Sequence, residues 1–289
     1  MIIPPVNRFI ALLSLPIAAL SPALAQAGDR LAATGGVMQL EGSAGGGLTP
    51  WALLAGLGTN RQTGASAYCT RVTPQDFVLT SCGAALGIRD RLELSAAHQT
   101  FDLGTTVPGA SIGLRVLGAK LRLAGDAVFA AYPWMPQLAI GAQWKHNEDY
   151  GFVPKLLGAR SADGVDIYLA ASRVWLAGPL DRSWLASLTL RSTSANQLGL
   201  LGFGGDRGGR TVLPEGSLAM FVNDQLLVGA EYRRKPDHLS VFHESGFSDL
   251  FIAWIPHKRV SLVVAYANLG NIADKPAQHG SYVSLQASW

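Results

Sequence analysis

Charge is scarce in this chain. Only 15% of its 289 residues are Asp, Glu, Lys or Arg, where a soluble domain carries about a quarter. Hydrophobic residues make up 48%, yet beyond residue 25 no apolar run reaches the ~18 residues that a membrane-spanning helix needs. A net charge of +3 is too small for the basic footprint of a nucleic-acid binder. Apolar composition without apolar runs points to strands that give alternate residues to lipid and to a lumen, the pattern of a transmembrane β-barrel. Cysteine is nearly absent, with only Cys69 and Cys82. In an exported chain these two meet an oxidising compartment, and bridging them would stabilise by about 3 kcal/mol. Spacing alone does not supply the Cα separation that a disulfide requires, so a bonded pair and two free thiols stand as alternatives.

The first 25 residues read as a secretory signal peptide. Arg8 supplies a positive charge, Phe9–Leu20 is an apolar run, and Ala23–Ala25 is a small-x-small cleavage site, which places the cut near Ala25. Residues 26–48 are Gly-rich and suggest a periplasmic tail, a lumen plug or an extra strand, with a segment tucked into the barrel favoured. Residues 49–289 then form the barrel.

The alternation is clearest at the C-terminus. In "YVSLQASW" Val283, Leu285, Ala287 and Trp289 alternate with Tyr282, Ser284, Gln286 and Ser288, so the last residue belongs to a strand. "LELSAAHQTF", "QLAIGAQWKH", "SWLASLTLRST" and "QLLVGAEYRR" repeat the pattern over the roughly ten residues that a tilted strand needs to cross a bilayer. Weaker segments near 49–59, 76–88, 111–123, 164–176, 216–223, 247–256 and 259–268 complete the set. In 111–123 the apolar parity changes near Gly118, which predicts a bulge. In 164–176 both faces are mixed. The expected fold is all-β, a transmembrane antiparallel up-and-down β-barrel of about twelve strands, with short periplasmic turns and long external loops. Connection 124–136 is the one that should be short and is not.

Aromatics gather at strand ends, where amphipathic rings form membrane girdles. They are Trp51, Phe77, Trp144, Trp175, Trp184, Tyr232, Phe247, Trp254, Tyr266 and Trp289. On the polar parity, Glu93, Arg115, Lys145, Arg191, Glu231, Arg233 and Asp249 are lumen-lining candidates. Facing charges of this kind either pair and close a narrow lumen or line a channel with at most a slight anion preference.

Catalytic parts are few. There is no G-x-S-x-G motif. His98 sits near a predicted external strand end with Ser111 starting the next strand, but no orienting Asn accompanies them, and an interfacial histidine is the simpler reading. Glu148 and Asp149 in "HNEDY" could hold a hard cation beside lipopolysaccharide phosphates, or belong to a solvated loop. His238 and His243 lack a third ligand for zinc. "GFGGDRGGR" (202–210) lacks the context of a phosphate-binding loop and reads as a long loop over the pore mouth. No catalytic residue, metal or cofactor is expected.

The C-terminal strand resembles the signature by which the outer-membrane assembly machinery recognises barrel proteins, with Trp289 where Phe is usual and Ala287 where a larger residue is usual. "GGVMQLEGSAGGGLTPWALLAGLG", "GAEYRRKPDHL" and "FIAWIPHKRVSLVVAYANLGNIA" are similar to an uncharacterised proteobacterial outer-membrane family, domain of unknown function 3034. The resemblance implies location in the outer membrane of a Gram-negative bacterium and a barrel fold, and no activity. Expected partners are outer-membrane lipids and lipopolysaccharide, and the assembly machinery through the Trp289 strand. The expected function is a passive or facilitated channel for small polar solutes; a lipid-active enzyme and a closed anchor barrel are the alternatives.

Overall fold

A computed structural model describes residues 37–129, 132 and 134–289. The expected signal peptide and residues 26–36 lie outside the described residues. Two short strands come first, β1 (Val37–Met38) and β2 (Ala44–Gly45). Then follow β3 (Thr63–Pro74), β4 (Val78–Ile88), β5 (Leu92–Asp102), β6 (Ser111–Ala124), β7 (Gln137–Asn147) and β8 (Asp163–Trp175). The last six are β9 (Trp184–Thr193), β10 (Thr211–Asn223), β11 (Leu226–Arg233), β12 (Phe247–His257), β13 (Val260–Ile272) and β14 (Lys275–Ser288).

Strands β3–β14 form a closed twelve-stranded barrel in chain order, every pair antiparallel, with β14 returning to β3. Period-two patterning decides which side each residue takes. In β9, Leu188 and Leu190 are half-exposed on the outside while Thr189 and Arg191 are buried inside. Leu218, Leu250, Ile252, Val264 and Leu285 extend the same apolar outer face. Such a surface is stable only against lipid.

At the mouth where Trp289 lies, here the lower mouth, the connections are 89–91, 125–136, 176–183, 224–225 and 258–259. The upper mouth carries 75–77, 103–110, 148–162, 194–210, 234–246 and 273–274. Residues 125–129 fold back under the barrel, where Ala127 packs with Trp51, Leu53, Val174 and Leu185. Trp289 closes the sheet. Its carbonyl accepts from Leu57 N at 2.8 Å and Ala65 N at 3.1 Å.

The first barrel strand is 63–74, not 49–59. "WALLAGLG" has apolar residues on both parities, which suits burial on all sides; residues 37–58 run through the lumen, with Trp51, Leu53, Leu54 and Leu57 almost wholly buried. The true first strand is faint in the sequence because its outer parity holds Thr63, Ala65, Ala67, Cys69, Arg71 and Thr73, none of them a large apolar residue. Trp51 is therefore no girdle residue, and its Nε1 donates to Ser217 Oγ at 2.9 Å. Phe77 and Phe247 are also buried.

No bulge occurs at Gly118; the β5–β6 register runs unbroken from Leu92↔Leu121 to Asp102↔Ser111. Ile112, Leu114 and Val116 point inward because the 194–210 loop brings Leu198, Leu200 and Phe203 into the upper mouth against them. That places Arg115 outside and Lys120 inside.

The face assignment gives a direct expectation. Leu188→Arg should cost about 2–4 kcal/mol in folding stability, because lipid cannot solvate the charge. Leu188→Phe should leave stability nearly unchanged. Denaturant titrations of barrel folded into vesicles would compare the two, and equal effects would place Leu188 off the lipid face.

Candidate functional site: the plugged lumen

The lumen is filled by residues 37–58, and polar groups on the wall hold this plug. β1 and β2 pair as a hairpin, Val37↔Gly45 and Met38↔Ala44, and the turn between them carries Glu41. Glu41 is wholly buried. Arg233 Nη1 donates to Glu41 Oε2 at 2.6 Å, Lys145 Nζ reaches Oε1, and Arg191 lies 3.6 Å from Oε2. One carboxylate thus binds cations from β7, β9 and β11.

Two further wall carboxylates hold plug backbone. Glu93 accepts from Ala44 N at 3.2 Å and Ala55 N at 2.7 Å. Glu231 accepts from Leu48 N at 2.8 Å and from Thr49 Oγ1 at 2.6 Å. Lys120 Nζ donates to the carbonyls of Ala44 at 2.8 Å and Leu53 at 2.7 Å. Leu40 O accepts from Tyr68, Ser81 and Gln99. Backbone groups excluded from a sheet need such partners when buried.

The wall's own ion pairs run between neighbouring strands. Glu93 and Lys120 are register partners on β5 and β6, 3.2 Å apart. Lys145 meets Asp166 across β7 and β8 at 2.6 Å, and Arg191 meets Asp166 across β8 and β9 at 3.3 Å. Arg191 also pairs with Glu215 on β10, and Arg233 on β11 lies 3.3 Å from the same Glu215. These pairs lie along the wall; the link across the lumen is Glu41.

Of the residues expected to line the lumen, Glu93, Lys145, Arg191, Glu231, Arg233 and Asp249 are buried on the inner face. Arg115 is outside, paired with Glu148, which also sits 3.0 Å from His98 Nε2. The hydrogen bond from His98 and the charge of Arg115 outweigh the cost of partial burial and hold the Glu148 carboxyl below its ordinary value. Asp149 Oδ2 accepts from Gly113 N at 2.7 Å. Both acids of "HNEDY" thus have local partners. His243 bonds Asp237 at 3.1 Å, whereas His238 is buried. Among the described residues no group of three or more His, Cys, Asp or Glu is placed to hold a metal.

Four inward charges escaped the sequence reading. Glu41 lay in the Gly-rich segment, Lys120 beyond the supposed parity change, Asp166 on the strand with mixed faces, and Glu215 one residue before the expected start of its strand. Cys69 and Cys82 are register partners on β3 and β4 and are joined as a disulfide, with Cα atoms 4.1 Å apart. Of the remaining aromatics, Trp144, Trp175, Tyr232, Trp254 and Tyr266 are exposed on the outer surface, and Trp184 and Trp289 are half-buried.

Breaking a buried ion pair by removing one partner costs about 3–5 kcal/mol, because the other charge is stranded. Glu41→Gln should therefore loosen the plug. Hydrogen exchange at the amides of residues 39–48 should quicken strongly, while β3–β14 keep their protection. Unchanged protection of the plug would show that Glu41 does not hold it.

Two solved structures share the fold. The KdgM porin matches with a TM-score of 0.51 at 11% identity, over 78% of this chain and 99% of that one. The NanC porin matches with a TM-score of 0.50 at 10% identity, over 77% of this chain and 98% of that one. Among curated proteins none matches by sequence. The match that spans the chain is to a family, over residues 34–286, and by it the chain belongs to the proteins of unknown function DUF3034.

Proposed function

We propose that this protein is an outer-membrane channel for small polar solutes, held closed at rest by its own residues 37–58. The observation that carries the reading is that wall and obstruction are different parts of the chain. The wall satisfies most of its charges between adjacent strands, so it does not need to collapse across the lumen. Its other inward residues, such as Ser172, Ser187, Thr189 and Ser284, are small and polar, and water could solvate them if the plug moved. A barrel serving only as an anchor could fill its interior with apolar side chains instead. The fold shared with two porins supports the same reading, and the apolar outer face supports a membrane location with the lower mouth toward the periplasm.

Departure of Glu41 would expose a strip of Lys145, Arg191 and Arg233. Anions would be favoured there, and only slightly, because Asp166 and Glu215 remain beside it. Solutes would thus be small and polar with weak charge discrimination.

Single-channel recording of the refolded mature chain in a planar bilayer tests this. The intact protein should be mostly silent. A chain lacking residues 37–58 should show discrete, reproducible steps, with a reversal potential in a salt gradient that reports slight anion preference. A correctly folded deletion variant that stays silent would sink the channel reading in favour of a closed barrel.

A further inference from the structure

A cavity of about 660 Å³ lies at the lower mouth. That is the size of a site for a small organic molecule. Its walls are the 89–91 turn, the end of β6 and residues 125–129. Leu53 of the plug and Gln137 of β7 also line it, and both are buried.

Three arginines and two aspartates line this cavity, and they are unevenly matched. Both aspartates bond to Arg122. Its Nη1 donates to Asp90, its Nη2 to Asp126 Oδ2 at 3.1 Å and its Nε to Gly125 O at 3.0 Å. Asp126 Oδ1 accepts from Val128 N at 2.9 Å and Phe129 N at 2.8 Å. Partial burial would raise the Asp126 carboxyl, but those two N–H groups and the Arg122 charge outweigh it and hold the group below its ordinary value. Arg122 is therefore a brace between the turn and residues 125–129. Arg89 and Arg91 are different. Both are exposed and line the cavity, and neither pairs with a carboxylate among the described residues. The lining is left with one positive charge in excess.

The turn that presents these two arginines is strained. Arg91 N closes it by donating to Ile88 O at 3.0 Å. Both central residues are left-handed, Arg89 at φ 52° and Asp90 at φ 47°. Asparagine or glycine would hold such a hairpin turn more easily. Strain of this kind gathers at ligand sites. The neighbouring strand end carries a register shift between Arg122 and Ala124, and bulges recur where side chains are re-aimed beside a site.

We propose that this cavity binds one small soluble organic anion, with its carboxylate or phosphate group on Arg89 and Arg91 and its apolar body against Leu53, Val128 and Phe129. The guanidinium fork matches the geometry of either oxyanion. Leu53 and Gln137 set the cavity within the mouth, so a solute supplies the anion rather than a bilayer lipid headgroup. The bound anion touches the plug where Leu53 and Trp51 pack with Ala127. That it is the cargo of a channel rests on the proposed function; the binding site does not.

The test is calorimetric titration of phenyl phosphate, then benzoate, into the mature protein refolded in a non-ionic detergent, in phosphate-free buffer at neutral pH and low salt. Each anion should bind saturably at one per chain. Benzyl alcohol, which has the ring without the charge, should not bind. Arg89→Asn combined with Arg91→Gln keeps a turn-compatible residue at position 89, so the barrel should fold, as heat-modifiable gel migration would show. Its affinity should fall at least about tenfold, since each hydrogen bond to a charged group contributes about that factor or more. Arg91→Gln alone leaves both left-handed positions unchanged and should weaken binding about tenfold. Arg182→Gln, at the same mouth but outside the cavity, should bind as wild type. No saturable binding of either anion, equal binding by the folded variants, or an equal loss from Arg182→Gln would overturn the site. Adding phosphatidylglycerol to a phosphatidylcholine nanodisc should leave the affinity unchanged; competition there would overturn the soluble anion in favour of a lipid headgroup. Anion binding beside a silent plug-deleted barrel would keep the site and overturn only its place in a channel.

Discussion

The interior depends on the Glu41 carboxylate meeting Lys145, Arg191 and Arg233. Those three cations share two wall carboxylates, Asp166 and Glu215, so the wall by itself is one negative charge short in that region. Burying an uncompensated charge is costly, and Glu41 supplies the missing one from a different part of the chain. The dependence is mutual. Plug backbone at Ala44, Leu48 and Ala55 lies outside the barrel sheet, and Glu93 and Glu231 accept its N–H groups. Neither wall nor plug satisfies its polar groups alone.

This division of labour sets how firmly the lumen is closed. A plug held by hydrogen bonds and ion pairs can exchange each contact for water at a modest net cost. One held by a large apolar interface would lose the hydrophobic term on leaving. The present plug has both kinds of contact, unevenly placed. Around Glu41 and Glu231 the contacts are polar. Toward the upper mouth Leu40 and Leu48 join Leu198, Leu200 and Phe203 of the 194–210 loop in an apolar cluster. Movement of the plug therefore requires that this loop also give way, as must the packing of Trp51 and Leu53 against Ala127, Val174 and Leu185 at the lower mouth.

The sequence made the barrel legible where one face was strongly apolar. β5, β7, β9, β11 and β14 could be read within a residue or a few, because leucines, tryptophans and valines alternate there with polar residues. The missed first strand, β3, has Thr, Ala, Cys and Arg outside, and period-two hydrophobicity cannot rise above noise with such side chains. The decoy at 49–59 is apolar because it is enclosed by the lumen, an environment that local periodicity does not distinguish from a membrane strand. Arg115, expected inside, lies outside for a related reason. Inward Leu114 and Val116 answer a loop some eighty residues later, and only the tertiary fold shows that. Glu41 carried no local signal at all, since a single acid in a Gly-rich stretch matches no period.

Neighbour-strand pairing also answers what inward charges do in a barrel of this size. Pairing across the lumen would have meant that charge closes the pore. Register shows another arrangement: Glu93 faces Lys120, and Glu215 faces Arg233, as adjacent residues of adjacent strands. Such pairs are fixed by the sheet itself and persist whatever occupies the lumen. They keep the wall charged yet nearly self-satisfied, so that in its charges a hydrated lumen differs from the plugged one chiefly in Glu41. Closure by a separable segment, rather than by the wall, follows from that arrangement of charges.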